Sequence, residues 1–350
     1  MKYLKLIAAV LISISAKATT YVVSNVPGFP AQFTSLQAAI DDVTVLPGSI
    51  LLVQGSGTDY GAIELTKRLT IMGPGYFLNQ NPETQAAQGT AKLLSIDCKA
   101  GSNGSIIQGI EITSSIACSS DNFPTAWSPG AANIGQCCVN VEGVGITFIS
   151  VNFQPSANWV HLKNSNGTSF SKCYGDGVYC SNGVSNLNID NCIFDFGAYL
   201  KNASVRNTVF DLGFNGNDAH AFIDCDVKNS ILYPCSYYTN INSTITNSLV
   251  IGCDNGLGLS GNITGVDANA IFVGYPTQGS YSNDGKFKLK NGSPAIGGGE
   301  NGIDIGPFGG SSPYKLSGMS FHPNIWFVNM PTIGTANGGL QVQVKVNAND

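Results

Sequence analysis

Asp190, Arg206 and Lys228 fall in the same slot of a short repeat and so offer a carboxylate, a guanidinium and an ammonium in succession. If that slot faces outward on stacked strands ~4.8 Å apart, the three side chains line up on one surface. Cations so placed can neutralise the carboxylate of a uronate sugar, and Arg206 or Lys228 can withdraw the proton alpha to it. The competing reading is an Asp190–Arg206 surface ion pair, worth ~0–1 kcal/mol. The chain has only two arginines, which draws attention to this column. Three further residues are candidates for sugar contact: Trp127, Asp176 in Tyr174-Gly-Asp-Gly-Val178, and His220 in Asp218-Ala-His220.

The elements that must position these residues are read from the repeat itself. Ile189-Asp-Asn-Cys-Ile-Phe194, Val205-Arg-Asn-Thr-Val-Phe210, Val227-Lys-Asn-Ser-Ile-Leu232 and Ile245-Thr-Asn-Ser-Leu-Val250 share one phrase: apolar, any residue, Asn, small, apolar, apolar. Their starts lie 16, 22 and 18 residues apart, with looser copies at Phe148 and Phe170. So short a unit cannot close a hydrophobic core alone, and neighbouring copies must stack. Irregular spacing suits a coil whose turns vary while its strands keep register. Asn191, Asn207, Asn229 and Asn247 are expected at a sharp bend, where Asn tolerates the left-handed conformation and its amide can bond to the Asn one rung away. The predicted fold is all-β, a right-handed parallel β-helix.

Thr20–Ser24 reads as a first strand, and Phe33–Val43 as a short helix capped by Thr34 or Ser35, with Leu36, Ala39, Ile40 and Val43 on one face. Strands follow near residues 49–53, 63–65 and 69–72, and Ile106–Ile112 opens the repeat region. An insertion at 113–143, carrying Phe123, Trp127 and three cysteines, is the candidate functional loop, since insertions in stacked repeats often build the binding face. The last thirty residues, with Asn324–Val328 and Leu340–Val346, read as a β-hairpin that covers the open end of the coil. The organisation expected is a signal segment at 1–18, a β-helix at 19–318 and the hairpin at 319–350.

The Asn-Gly-rich closing stretch adds a resemblance. Asp284-Gly-Lys-Phe-Lys-Leu-Lys-Asn-Gly-Ser-Pro-Ala-Ile296 and Gly302-Ile-Asp-Ile-Gly-Pro-Phe-Gly-Gly310 resemble the closing segment of bacterial exported β-helix proteins. The N-terminal helix followed by strands is similar to the cap of pectate-lyase-like β-helix proteins. The resemblance spans roughly residues 20–318 and implies an architecture whose members cleave polysaccharides, bind them, or have no known activity. Tyr174-Gly-Asp-Gly resembles the Gly-Asp-Asp motif of galacturonases with Gly177 in place of the second Asp, but their Gly-His-Gly and Arg-Ile-Lys elements are absent. Pectate-type lyases also hold calcium with clustered acids. Asp176, Asp190, Asp195, Asp211, Asp218, Asp224 and Asp226 could supply oxygens, although no tight acidic run occurs.

Composition bounds the partners. Lys2 and Lys5, the apolar run Leu6–Ile14 and Ala16-Lys17-Ala18 read as a secretory signal, too short to span a bilayer. The chain carries a net charge of −5, and loss of Lys2, Lys5 and Lys17 would make it more acidic. No basic stripe suits nucleic acid. Ten cysteines in an exported chain permit disulfides, among them Cys173–Cys180 and Cys225–Cys235, while Cys173 and Cys192 in the small slot read as stacked core residues. No cysteine spacing suits zinc. The reading is thus an exported or surface-held monomer that contacts polysaccharide without classical catalysis. A polysaccharide lyase and a purely structural or adhesive protein are the alternatives.

Overall fold

The apolar positions of the repeat find two different places to hide, and that division organises the molecule. A computed structural model describes residues 18–113, 116–117, 136–153, 159–211, 220–234, 238–252, 261–319, 324–329 and 339–347. Ten strands from Thr20–Val23 to Thr244–Thr246 form one sheet, each hydrogen-bonded to the next copy along the chain and all parallel. A second sheet of fifteen strands stands beside it. One complete turn shows the path. Strand Leu187–Asp190 lies in the first sheet, Asn191 turns the corner, and Ile193–Lys201 crosses the second sheet. Asn202 turns again, and Ala203–Arg206 pairs in parallel directly over Leu187–Asp190. The nine-residue strand bends, pairing its start with Val209–Asp211 and its end with His220–Ile223. The chain is therefore a parallel β-helix, right-handed as parallel crossovers are.

Each slot of the phrase has a distinct task. The first apolar residue (Ile189, Val205, Val227, Ile245) and the last (Phe194, Phe210, Leu232, Val250) point into the coil. Aromatic rungs stack there, with Phe148 over Phe170 at 5.1 Å and Phe194 over Phe210 at 5.8 Å. The Asn residues adopt the left-handed conformation as expected, φ lying between 47° and 52° at Asn191, Asn207, Asn229 and Asn247. Gly109 fills the same slot earlier in the coil at φ 63°, where a Cβ would sit 2.5 Å from the Gly73 carbonyl oxygen. The segment Ile106–Ile112 is consequently two strands split at this corner.

The small slot proves to be a hydrogen-bond ladder inside the coil. The Cys173 N–H donates to Cys192 Sγ, Cys192 N–H to Thr208 Oγ1, Thr208 N–H to Ser230 Oγ and Ser230 N–H to Ser248 Oγ. The Thr208, Ser230 and Ser248 hydroxyls each donate in turn to the carbonyl two residues back, at 2.9 Å. This satisfies backbone groups that the corner withdraws from the sheet, and it suits the small polar or thiol side chains found there from Cys173 to Ser248. Cys173, Cys180, Cys192 and Cys225 carry free, buried thiols, so neither loop staple expected at Cys173–Cys180 or Cys225–Cys235 is present.

The fifth slot points outward yet is buried. Ile193, Val209, Ile231 and Leu249 pack under a strap, residues 263–319, with Ile271, Phe272, Phe287, Ala295, Ile305 and Tyr314. The strap leaves the last rung through the Leu249–Ile263 bridge and runs back along the outside of the coil to Tyr76, whose N–H donates to the Ser317 carbonyl. Its closing motif is clamped at the Asn corner. Asn191 Nδ2 donates to the Pro307 and Gly309 carbonyls at 2.7 and 2.8 Å, and Asn229 Oδ1 accepts the Glu300 N–H at 2.8 Å. Asn191 and Asn229 thus grip the strap, whereas Asn207 Nδ2 donates to Asp190 Oδ1 at 3.4 Å.

At the N-terminus, Ser35 caps a helix over Leu36–Asp41 that buries Leu36, Ala39 and Ile40. Val43 lies beyond it and is 87% exposed, so it does not share that face. At the C-terminus, Asn324–Asn329 and Gln343–Asn347 pair as an antiparallel hairpin. The Ala86 N–H donates to the Ile325 carbonyl at 2.9 Å, which ties the hairpin to the body. Residues 1–17 and most of the 113–143 insertion lie outside the described residues.

Candidate functional site

The outer face of the first sheet carries two polar columns. In register, Ser171, Asp190, Arg206, Lys228 and Thr246 form one, as the repeat predicts. Ser169, Asn188, Ser204, Asp226 and Thr244 form the other, two residues back along each strand. The expected Asp190–Arg206 pair does not form. Arg206 instead pairs with the Asp226 carboxylate one rung further on, and donates to the Asp226 and Val205 carbonyls at 2.7 and 2.8 Å. Lys228 lies 3.5 Å from Glu300 of the strap. Asp190 accepts from Asn207 Nδ2 at 3.4 Å, and burial pushes its carboxyl above the usual range despite that bond and the nearby Lys172 and Arg206. Both cations of the column are thereby matched by acids.

Beside the second column the surface dips into a shallow trough of about 720 Å³. Asn188, Ser204, Asp226 and Thr244 form its floor, and Asn186, Asn202 and Asn242 its wall. The wall residues sit at left-handed corners, φ 51–52°, so the bend that folds the coil also lifts their amides to the rim. Thr244 Oγ1 donates to Asp226 Oδ1 at 3.1 Å, and Asn186 Nδ2 to Asn166 Oδ1 at 2.8 Å.

A second cluster lies where the strap meets the other sheet. Asp195 and Asp211 follow the paired Phe194 and Phe210 on adjacent rungs. Asp195 Oδ2 accepts the Tyr174 hydroxyl at 2.6 Å and lies 4.0 Å from Lys286 Nζ. Asp211 accepts the Tyr275 hydroxyl, and Tyr233 stands next in register. Burial raises the Asp211 carboxyl to about 6, opposed by Tyr275 and Lys286 and reinforced by Asp195. Asp195 is also raised, again mainly by burial. Two carboxyls one rung apart with raised pKa values have the makings of an acid–base pair. Every partner on the far side comes from the strap, however, so the cluster's evident work is to fasten strap to coil.

The remaining candidates are dispersed. Asp176 is buried at the bend of Tyr174–Cys180, where the register shifts between Gly175 and Gly177. His220 opens the strand His220–Ile223 beside Tyr238, away from Asp190 and its column. Trp127 lies outside the described residues. Among the described residues no three Asp, Glu, His or Cys side chains converge as a metal site, and no helix is long and apolar enough to cross a membrane. Sequence reasoning missed the trough because its floor lies at the slot before the repeat begins. It missed the Asp195–Asp211 cluster because Tyr275 and Lys286 are remote in the chain.

The class is therefore a parallel β-helix with an external strap and a polar trough along one face. No family model matches the chain, and no curated protein matches it. Among solved structures it is similar to the pectin methylesterase of Aspergillus niger. The penultimately deglycosylated form is 11% identical, over 73% of this chain and 83% of that one, with a TM-score of 0.33. The deglycosylated form gives 10%, the same coverage and 0.31. Pectin methylesterase from carrot is 10% identical over 79% and 90% of the two chains, with a TM-score of 0.27. No residue role is carried over from them.

Proposed function

We propose that this is an exported β-helix protein that binds an extended polysaccharide along the trough of its first sheet, without catalysing its cleavage. The observation that carries the reading is the in-register floor of Asn188, Ser204, Asp226 and Thr244 under a rim of corner asparagines. An amide, two hydroxyls and the Arg206-paired Asp226 carboxylate, repeated every ~4.8 Å, meet a polymer whose hydroxyls also recur along its length. Such groups hydrogen-bond to sugars and need no metal. Lyase chemistry draws no comparable support, because Arg206 and Lys228 are engaged by Asp226 and Glu300. We assign Trp127 an auxiliary stacking role, since a planar ring suits the apolar face of a pyranose.

The test is affinity electrophoresis of the whole protein through gels holding neutral and uronate polysaccharides. Retardation on at least one glycan is expected. Ser204→Arg, which fills the floor, should sharply weaken it, and Trp127→Ala should reduce it. Parallel assays for unsaturated uronide absorbance should stay silent. A lyase signal that disappears in Arg206→Ala would replace this reading with the catalytic one.

A further inference from the structure

A second concavity lies near the N-terminal end, and it contains a buried carboxylate oxygen that is ion-paired to a half-exposed lysine but receives no hydrogen bond. The groove, about 540 Å³, is walled by the Gly55–Gly57 turn, Asn79 and Gln80, Gln88 to Lys92, and Asn283 of the strap. Phe77 gives it an apolar floor and Glu111 a carboxylate. The Glu111 side chain is 4% exposed. Its Oε2 accepts from Asn152 Nδ2 at 3.2 Å, but Oε1 has no hydrogen-bond partner. Lys92 Nζ forms an ion pair with Oε1 at 3.3 Å without completing a hydrogen bond, and its side chain is nearly half exposed. On the next rung, Asn152 Oδ1 is likewise buried without a donor. Of these two acceptors only Glu111 lines the groove, where a bound group could donate to Oε1 and complete its hydrogen bonding.

The chemistry of that group follows from its surroundings. An anion is disfavoured by the Glu111 carboxylate. A hard cation wants several oxygen ligands and no competing ammonium, whereas here a single carboxylate faces Lys92. A neutral hydroxyl satisfies Oε1 at no electrostatic cost. The rim offers amides that donate and accept together. Gln80 spends its Oε1 on the Asn283 N–H at 2.9 Å, which leaves its amide NH2 as a donor to a ligand. The Gly55 and Gly89 backbones approach so closely that a Cβ at Gly55 would fall 2.1 Å from the Gly89 carbonyl oxygen, so no side chain intrudes there.

From this we infer a second carbohydrate site, independent of the trough, in which Glu111 accepts a hydroxyl of a neutral sugar residue while Asn79, Gln80 and Asn283 clasp its neighbours. Calorimetric titration of the whole protein with neutral hexasaccharides of glucan, mannan and galactan, and with a hexagalacturonate, tests it. One neutral hexasaccharide should bind and the galacturonate should not. Glu111→Gln, which keeps the shape but not the charged acceptor, should weaken binding about tenfold or more. Gln80→Ala, at the exposed rim, should weaken it as well, with urea denaturation checking that loss of the Asn283 N–H bond leaves the protein folded. Ser204→Arg in the trough should leave it unchanged, so failure of the trough reading would not touch this one. Absence of binding by every neutral hexasaccharide at millimolar concentration would overturn the inference. So would binding that survives both Glu111→Gln and Gln80→Ala, or that is lost only in Ser204→Arg.

Discussion

Replacing Asp211 by Asn should make the protein more stable at neutral pH, although it deletes a charge from a hydrogen-bonded network. Asp211 is 8% exposed, and burial lifts its carboxyl from 3.8 to about 6 even though Tyr275 donates to it and Lys286 lies near. Between those values the folded chain keeps a proton that the unfolded chain has released. Stability therefore falls as pH rises from about 4 through about 6 and then levels off, while below about 4 the penalty vanishes. At ~1.4 kcal/mol per pH unit of difference, the ionised carboxylate costs the folded state about 3 kcal/mol at neutral pH. The Asn oxygen can still accept the Tyr275 hydroxyl, but attraction to Lys286 is lost, so the net gain should be about 1–3 kcal/mol. Urea denaturation of both proteins in steps from about pH 4 to about pH 8 reads this directly. The variant's advantage should appear across that window and be absent at its acid end. A variant less stable than the parent at about pH 8, with a midpoint profile parallel to it, would refute the assignment of a strained carboxylate.

Two further substitutions probe the coil and its strap. Thr208→Val keeps volume but removes the ladder hydroxyl, leaving the buried Cys192 N–H without its acceptor, and should cost about 1–3 kcal/mol in the same denaturation assay. Asn229→Ala removes both the left-handed preference and the bond from the Glu300 N–H, so limited proteolysis should cut the 263–319 strap faster than in the parent. Asn229→Gly restores the conformation but not the bond and should fall between the two.

The coil was legible because its physics is local. Ile189 and Phe194 alternate inward, and Asn191 must bend, whatever lies elsewhere in the chain. The tasks of two slots were hidden because they depend on the strap. The repeat does not say where Ile193, Val209, Ile231 and Leu249 point, since an apolar residue does not declare which surface will cover it. The Asn amides read as a ladder for the same reason: Pro307 and Gly309 lie more than a hundred residues from Asn191. Asp190 and Arg206 do stand in register as the repeat implies, yet Arg206 chose Asp226, an acid from the neighbouring column that the phrase does not contain. The Glu111 groove is not legible in the sequence because its lining comes from six separate stretches, the last of them Asn283 in the strap. A strand-by-strand reading therefore recovers the core, and it loses whatever is assembled between distant segments.

The measurement that bears most directly on the proposed function is retardation of the parent protein and of Ser204→Arg in polysaccharide-bearing native gels. The trough reading predicts retardation of the parent on at least one glycan and clearly weaker retardation of Ser204→Arg on that same glycan, with unchanged melting of the two proteins. Equal mobility of both on every glycan, or equal retardation of both, would contradict it.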